Sequence, residues 1–460
     1  MASRPARIPV PASPQPVPVQ PRSRGFLLDA LPELLFAAFL LLFVAIRLLQ
    51  QHAAFLRAPG ADWNSSEWMI DYAAGFVRRG FGGEVLKRLM HLTGLGFFPL
   101  WATLTTTVYL ATCWHLMRRC RSLGGSRFWR FCLLFNPALL VFPVDCRLYG
   151  SFLRKEMLFV AATVLLVGLG ERAVRNASGS PRRLPFATLA VACLASTVLA
   201  LVHEGFFLFE WLPLNFVVLA ALLVRLGNRK PAAARVALLA FLPALLVTAA
   251  SIHWHGDAHT GQLICQSWHA DSIPTVCATG SSGPNQFEAI GWSASQVARG
   301  TLHHAWRFPF FLLIAGLFAA LELAAIRSLI PAAKLSHLLA ILLFPLILSW
   351  PIFLSNDWGR YWFTLMGQQV FVLLSNPLRP AVFDLLPRFL ASPLARFAEP
   401  RPQQRLDSFA RMAQSHLFLT CLVLLLLPLP DTYPERTLYK ESPPAILSHF
   451  ILQSRASHLR

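Results

Sequence analysis

The sequence predicts an all-α, polytopic integral membrane protein, a bundle of about eleven transmembrane helices with its N-terminus inside. Three observations carry this reading. Several apolar runs reach ~18 or more residues, enough for a helix to cross the hydrocarbon layer. Charged residues make up 14% of the 460 and apolar residues 55%, where a soluble domain carries about 25% charge; mean hydropathy is +0.52. Basic residues also alternate between successive connections. The composition excludes a soluble enzyme, a disordered chain and a disulfide scaffold. It also excludes a membrane β-barrel, whose strands alternate apolar and polar residues. The formal charge of +19 does not imply nucleic acid, because Lys and Arg in a membrane protein first set its orientation.

The elements follow in order. Residues 2–24 hold seven prolines and four arginines and little that a core can use, so 1–24 reads as a disordered, polyproline-like cytoplasmic tail. The apolar run from Gly25 is too long for a signal peptide and lacks a small-residue cleavage site. It is the first of the spans, 26–49. The others fall at 96–117, 131–144, 157–171, 185–202, 205–225, 236–252, 306–326, 337–354, 362–376 and 416–430, all within a bundle at 25–430. The third, fourth, tenth and eleventh are short, as tilted or re-entrant segments are. Outer loops lie at 50–95, 145–156 and 253–305, and a polar tail, 431–460, ends the chain outside.

Charge sets the orientation. With the N-terminus inside, the inner connections carry Arg118, Arg119, Arg121, Arg127 and Arg130, then Arg172, Arg175, Arg182 and Arg183, then Arg225, Arg229, Lys230 and Arg235. Arg327 and Lys334 follow, and then a run from Arg379 to Arg411. This is the positive-inside pattern. Fifteen of the 22 acidic residues fall on the outer side. Asp and Glu barely influence orientation, so topology does not account for their gathering there. Two of the eight cysteines, Cys265 and Cys277, share an outer loop. A disulfide between them fits an oxidising compartment, and two free thiols fit the sequence as well.

The first outer loop reads D-W-N-S-S-E-W-M-I-D-Y-A-A-G-F-V-R-R-G-F-G-G-E over 62–84. Glu67, Asp71, Gly75 and Arg78 are spaced by 4, 4 and 3, which predicts one face of a short interfacial helix. Asn64 and Glu67 form its capping box, and it ends near Gly80, Gly82 and Gly83. Glu67 reads equally as a capping residue, and Asp71 with Arg78 as a surface pair. Against that stand Arg78 and Arg79, an adjacent pair of cations on the side where positive charge is under-used, among small and apolar neighbours.

Residues 145–156, D-C-R-L-Y-G-S-F-L-R-K-E, precede the fourth span. Arg154 and Lys155 thus sit at a helix N-terminus, where the dipole favours anions. An anionic ligand resolves the conflict, with Arg147 as a third cation; pairing with Glu156 and Asp145, or anchoring to lipid headgroups, is the alternative. His203 and Glu204 mark the next outer turn, and Glu210 lies ~9 Å deeper at 1.5 Å per residue. Asp357 and Arg360 form an i, i+3 pair at a later outer turn. The loop H-W-H-G-D-A-H holds His253, His255, Asp257 and His259, residue types that ligate metals, but alternate spacing on a loop is no metal signature and no metal site is assigned. Nor is there a nucleotide-binding loop, dinucleotide fingerprint, zinc signature or internal repeat.

The segments D-Y-A-A-G-F-V-R-R-G, L-R-K-E, H-E-G and D-W-G-R, set on this topology, resemble the GT-C superfamily of membrane glycosyltransferases and are similar to O-antigen polymerases and ligases. The resemblance covers topology and these short motifs. It implies transfer of a sugar from a polyprenyl-phosphate or polyprenyl-diphosphate donor to a glycan, lipid or protein acceptor, on the periplasmic face of a bacterial plasma membrane. It assigns the catalytic carboxylate to Asp71, with Asp62 and Glu67 behind it. Phosphate binding falls to Arg78, Arg79, Arg154, Lys155 and Arg147, and acceptor or sugar binding to His203, Glu204, Asp357 and Arg360. A divalent metal is the one cofactor it allows, although no Asp-x-Asp motif is present. Two other classes fit the charge pattern. A transporter or lipid flippase uses Glu210 and Glu322 as cavity residues, and a non-catalytic assembly subunit uses the charged turns to bind a partner.

Overall fold

The computed structural model describes residues 26–140, 152–176, 185–278, 285–303, 306, 308–348, 358–386 and 400–427. Arg147 and Asp357, the two chain tails and most of the 145–156 loop lie outside these. Among the described residues every regular element is helical. Eighteen helices are labelled here: α1 (Leu31–Arg57), α2 (Trp63–Trp68), α3 (Gly80–Thr93), α4 (Phe97–Leu123), α5 (Arg127–Leu134), α6 (Glu156–Asn176), α7 (Phe186–Val202), α8 (Glu204–Arg225), α9 (Lys230–His253), α10 (Ala258–Ala270), α11 (Gln286–Ala289), α12 (Ala294–His303), α13 (Phe308–Leu329), α14 (Leu335–Leu348), α15 (Trp358–Leu373), α16 (Leu378–Leu385), α17 (Pro400–Ser415) and α18 (Leu417–Leu426).

Each of the eleven apolar segments contains helix. Five helices, α1, α6, α8, α9 and α13, are long and apolar enough to cross a membrane, and a sixth span arises if α17 and α18, bent by 92° at their junction, are taken together. Shorter apolar helices occur at Phe186–Val202 and Leu335–Pro345. Between Arg235 and His253 the exposed residues of α9 are apolar, among them Leu238, Leu239, Leu242, Leu246 and Ile252. A face of that kind is stable against lipid and costly against water.

The centre of the bundle is α6, packed on α8, α15 and α4, with α15 also touching the start of α8. Helix α8 contains a π-turn, Phe207–Trp211, just before Pro213. Proline has no N–H and its ring crowds the carbonyl four residues back, so a wider turn here relieves a local conflict.

The first outer loop differs from its expectation. There is no single helix carrying Glu67, Asp71 and Arg78 on one face. Asp62, not Asn64, is the N-cap of α2, its carboxylate accepting from the N–H groups of Asn64 and Ser65. The helix stops after Trp68, the chain turns through Gly75 at φ +93° and Arg79 at φ +65°, and α3 begins at Gly80, where the expected helix was to end. The glycines are there for close packing: a Cβ on Gly83 would lie 2.1 Å from the Ile70 carbonyl oxygen, and one on Gly82 would lie 3.1 Å from the Trp68 ring. Spacing alone could not register this, because it depends on contacts between two helices folded back on each other.

Candidate functional site

Trp68 and Trp101 build the frame. Their indole N–H groups both donate to the carbonyl of Leu153, at 2.7 and 2.9 Å. Asn64 donates to the neighbouring Phe152 carbonyl at 3.4 Å. Leu153 is held at φ +66°, a left-handed conformation that costs a branched side chain about 1 kcal/mol or more and so needs such anchoring. The result is that Arg154 and Lys155, at the N-terminus of α6, are aimed at the first outer loop.

Arg154 meets Glu67 at 3.1 Å (Nε to Oε2) and Glu156 at 3.6 Å. Glu156 also meets Arg360 of α15 at 2.6 Å. The Arg360 guanidinium lies over the rings of Phe206 and Tyr361. Lys155 Nζ donates to the carbonyls of Arg79 and Val202, at 3.2 and 3.5 Å, and sits above the Trp68 ring. Arg79 forks onto Glu204 at 3.3 and 3.4 Å; Arg78 reaches the same carboxylate at 3.8 Å and donates to the Ile290 carbonyl at 2.5 Å. Glu204 stands in the first turn of α8, where the dipole favours a carboxylate. His203 caps that helix through Nδ1, accepting from the Phe206 N–H, while Nε2 faces Glu67 at 4.0 Å.

Four separate stretches therefore meet: the loop over 62–84, the start of α6, the α7–α8 turn and the start of α15. Among the described residues five cations, Arg78, Arg79, Arg154, Lys155 and Arg360, face three carboxylates, Glu67, Glu156 and Glu204. Lys155 is 0% exposed and Glu67 1%. The side chains of Arg78 and Arg79 retain 17% and 19% exposure, so the cluster approaches solvent on their side. Within it Arg154 Nη2 has no hydrogen-bond partner.

The cluster tunes its own members. Burial pushes Glu67 up, but Arg154, Lys155, Arg360 and Arg79 outweigh it and bring the carboxyl down to about 2. Burial draws Lys155 down to about 8, and Arg79 adds to the fall while Glu67, Glu204 and Glu156 oppose it. Burial, then Arg79, draws Arg78 down to about 10. Burial and the surrounding cations hold His203 well below the usual imidazole range, so it is neutral.

Asp71 belongs to a second cluster. It is 0% exposed, takes Lys87 at 3.0 Å and Ser267 at 3.2 Å, and accepts from the Ala73 N–H. Lys87 also binds Asp271 at 3.1 Å, which pairs in turn with His91 at 2.8 Å. Burial raises Asp71 above the usual carboxylate range, although the Ala73 N–H, Lys87 and Ser267 work against it. Ser267 and Asp271 come from α10 and its end. That region is braced by a Cys265–Cys277 disulfide and by Trp268, which donates to the Met69 carbonyl at 2.7 Å. Asp257 caps α10 through the Thr260 N–H.

Of the residues singled out in the sequence, Glu67, Arg78, Arg79, Arg154, Lys155, His203, Glu204 and Arg360 come together. Asp62 is engaged as a cap and accepts from Gln51 at 3.0 Å, and the bonds of Asp71 go to the second cluster. Glu156, Lys87, Ser267 and Asp271 escaped the sequence reading as site residues. Glu156 had a signal, its adjacency to Arg154 and Lys155; the other three join Asp71 only through tertiary packing. A cleft of about 360 Å³, lined by Arg225, Lys230, Asn376 and Asp384 among others, lies at the opposite end of α8 from Glu204, away from both clusters.

No curated protein and no solved structure matches the chain. The model of one family, described as uncharacterised membrane protein Rv1490, matches residues 34–311. That stretch contains both clusters apart from Arg360, and it makes up more than half of the sequence. The chain therefore belongs to the Rv1490 family of membrane proteins.

Proposed function

We propose that this protein is a membrane-embedded glycosyltransferase that takes a sugar from a polyprenyl-phosphate or polyprenyl-diphosphate donor on the outer face of a bacterial plasma membrane. The reading includes eleven spans with the N-terminus inside. One observation carries it: a cluster where loop 62–84 meets the starts of α6, α8 and α15, in which, among the described residues, five cations face three carboxylates. Among the described residues the cations outnumber the carboxylates there, and buried positive charge is costly unless an anion joins it. Charge-assisted bonds to phosphate contribute about 1.5–3 kcal/mol each, and the open Nη2 of Arg154 is a donor ready for one.

The chemistry follows from the residue types. The acceptor hydroxyl gives its proton to the Asp71 carboxylate, whose raised proton affinity suits a general base. The acceptor oxygen bonds to the anomeric carbon as the bond from that carbon to the phosphate oxygen breaks. The phosphate leaves with the electron pair, and Arg78, Arg79, Arg154 and Lys155 meet its charge. His203 and Glu204 orient the acceptor, which is a glycan, lipid or protein. The test is transfer in proteoliposomes: a radiolabelled polyprenyl-phosphoryl sugar is supplied with candidate acceptors, and released polyprenyl phosphate is measured. Arg154→Gln should lose release at unchanged protein level. Full release in that variant would overturn the site.

A second reading, a transporter or lipid flippase, draws on a separate observation. Glu210 and Glu322 lie within spans, are 0% exposed and have no hydrogen-bond partner on either carboxyl oxygen. Intramembrane carboxyls of that kind mark ion and substrate paths. Translocation of the lipid-linked sugar without release of polyprenyl phosphate would favour this reading over transfer.

A further inference from the structure

Glu210 sits on the π-turn of α8, six residues beyond Glu204, and no step above uses it. Neither of its carboxyl oxygens is hydrogen-bonded. The charged groups that face it are Glu156 from α6 and Arg360 from α15. Among the described residues no further charge meets this turn: α7 has none in Phe186–Val202, His337 of α14 is stacked on Phe383, and α9, which touches the turn through Phe241 and Trp211, carries its ionisable groups towards its ends, at Lys230, Arg235 and His253. Arg360 is already engaged by Glu156 at 2.6 Å. Glu156 thus holds both Arg154 and Arg360, and among the described residues no ion pair reaches Glu210.

An anion entering the cluster changes this balance. Arg154 and Arg360 are the cations bonded to Glu156, and a phosphate that draws on them leaves two neighbouring carboxyls with less compensation. A proton is then the cheapest counter-charge, because an unpaired buried carboxylate is far costlier than a neutral acid. Resting on the reading of the cluster as a phosphate site, we propose that Glu210 is a proton-binding site linked to it: the protein binds the phosphate-bearing lipid together with a proton on Glu210, and binds it less well once that proton is lost. Linkage makes the effect reciprocal, so bound anion also tightens the proton. The expected size is on the order of tenfold in affinity, the Coulomb effect of one charge at roughly 10 Å in an effective dielectric of about 20.

The test uses the full chain in nanodiscs of zwitterionic lipid. The probe is a fluorescent short-chain prenyl glycosyl phosphodiester, whose single charge is fixed across the pH range used. Wild-type affinity should fall as pH rises. Lys155, drawn down to about 8, produces a fall of the same sign near that pH, so variants separate the two. Glu210→Gln should keep the acid-side affinity of the wild type and, on the alkaline side, bind on the order of tenfold more tightly than wild type; only the Lys155 component should remain. Calorimetry of the wild type in buffers of different ionisation heat needs no variant and should show proton uptake on binding. If Glu210→Gln tracks the wild type at every pH, or calorimetry finds no uptake at any pH, the linkage is wrong while the phosphate site stands. If wild type fails to bind the probe at any pH, the phosphate site falls and the linkage with it.

Discussion

Replacing Glu67 by Gln tests whether the cation cluster is held by its central carboxylate. Gln keeps the volume and removes the charge, leaving Arg154, among the described carboxylates, with Glu156 at 3.6 Å and the cations with one carboxylate fewer. The folded-state value of Glu67 is depressed to about 2 from 4.5. Its contribution to stability is therefore present in full above about 4.5 and is lost as pH falls through about 2. That interval corresponds to about 3 kcal/mol. Removing one partner of a buried ion pair costs about 3–5 kcal/mol by a separate route, and with Glu67 and Arg154 1% and 5% exposed solvent screening is slight. Unfolding in mixed micelles at neutral pH should show Glu67→Gln destabilised by about 3 kcal/mol. A double-mutant cycle with Arg154→Gln should give a coupling of roughly 2 kcal/mol, within the range for residues in contact. A Glu67→Gln protein within about 0.5 kcal/mol of wild type, or a cycle that closes additively, would refute the argument and make the cluster an incidental surface network.

The other predictions concern the surroundings. Asp71→Asn should abolish transfer at unchanged protein level. Because burial raises its folded value, Asp71 contributes stability below the ordinary carboxylate range and loses it as pH rises, so Asn should be neutral or stabilising at neutral pH in a melting assay. Gly83→Ala drives a methyl into the Ile70 carbonyl, 2.1 Å away, and should cost about 1–3 kcal/mol or more and lower probe binding, whereas Gly94→Ala, with open space around it, should cost only about 1 kcal/mol for its positive φ. Replacing both Cys265 and Cys277 by Ser, 12 residues apart, should destabilise by about 3 kcal/mol, matched by reductant acting on the wild type. For topology, cysteines introduced at the exposed His259 and Arg229 should label from the outer and inner sides respectively, and labelling of both from one side would break the eleven-span reading.

The sequence by itself determined the class of the protein and where its apolar helical segments lie, because the cost of placing unpaired backbone polar groups in lipid leaves long apolar helices as the form such runs can take. It also marked most of the cluster. Arg78, Arg79, Arg154, Lys155, His203 and Glu204 each sit where local rules disfavour charge or where an outer turn collects it, and local rules are legible in one dimension. Tertiary structure decided the rest. Glu67 and Asp71 are four residues apart, and helical spacing put them on one face; but the packing of Gly82 and Gly83 against Trp68 and Ile70 folds the loop back and sends Glu67 to Arg154 and Asp71 to Lys87. Leu153 carries no signal of its own, yet its carbonyl, held by Trp68 and Trp101, aims two cations at a loop some 75 residues earlier in the chain. Such placements are set by close contacts between distant segments, whose energies do not appear in any window of sequence.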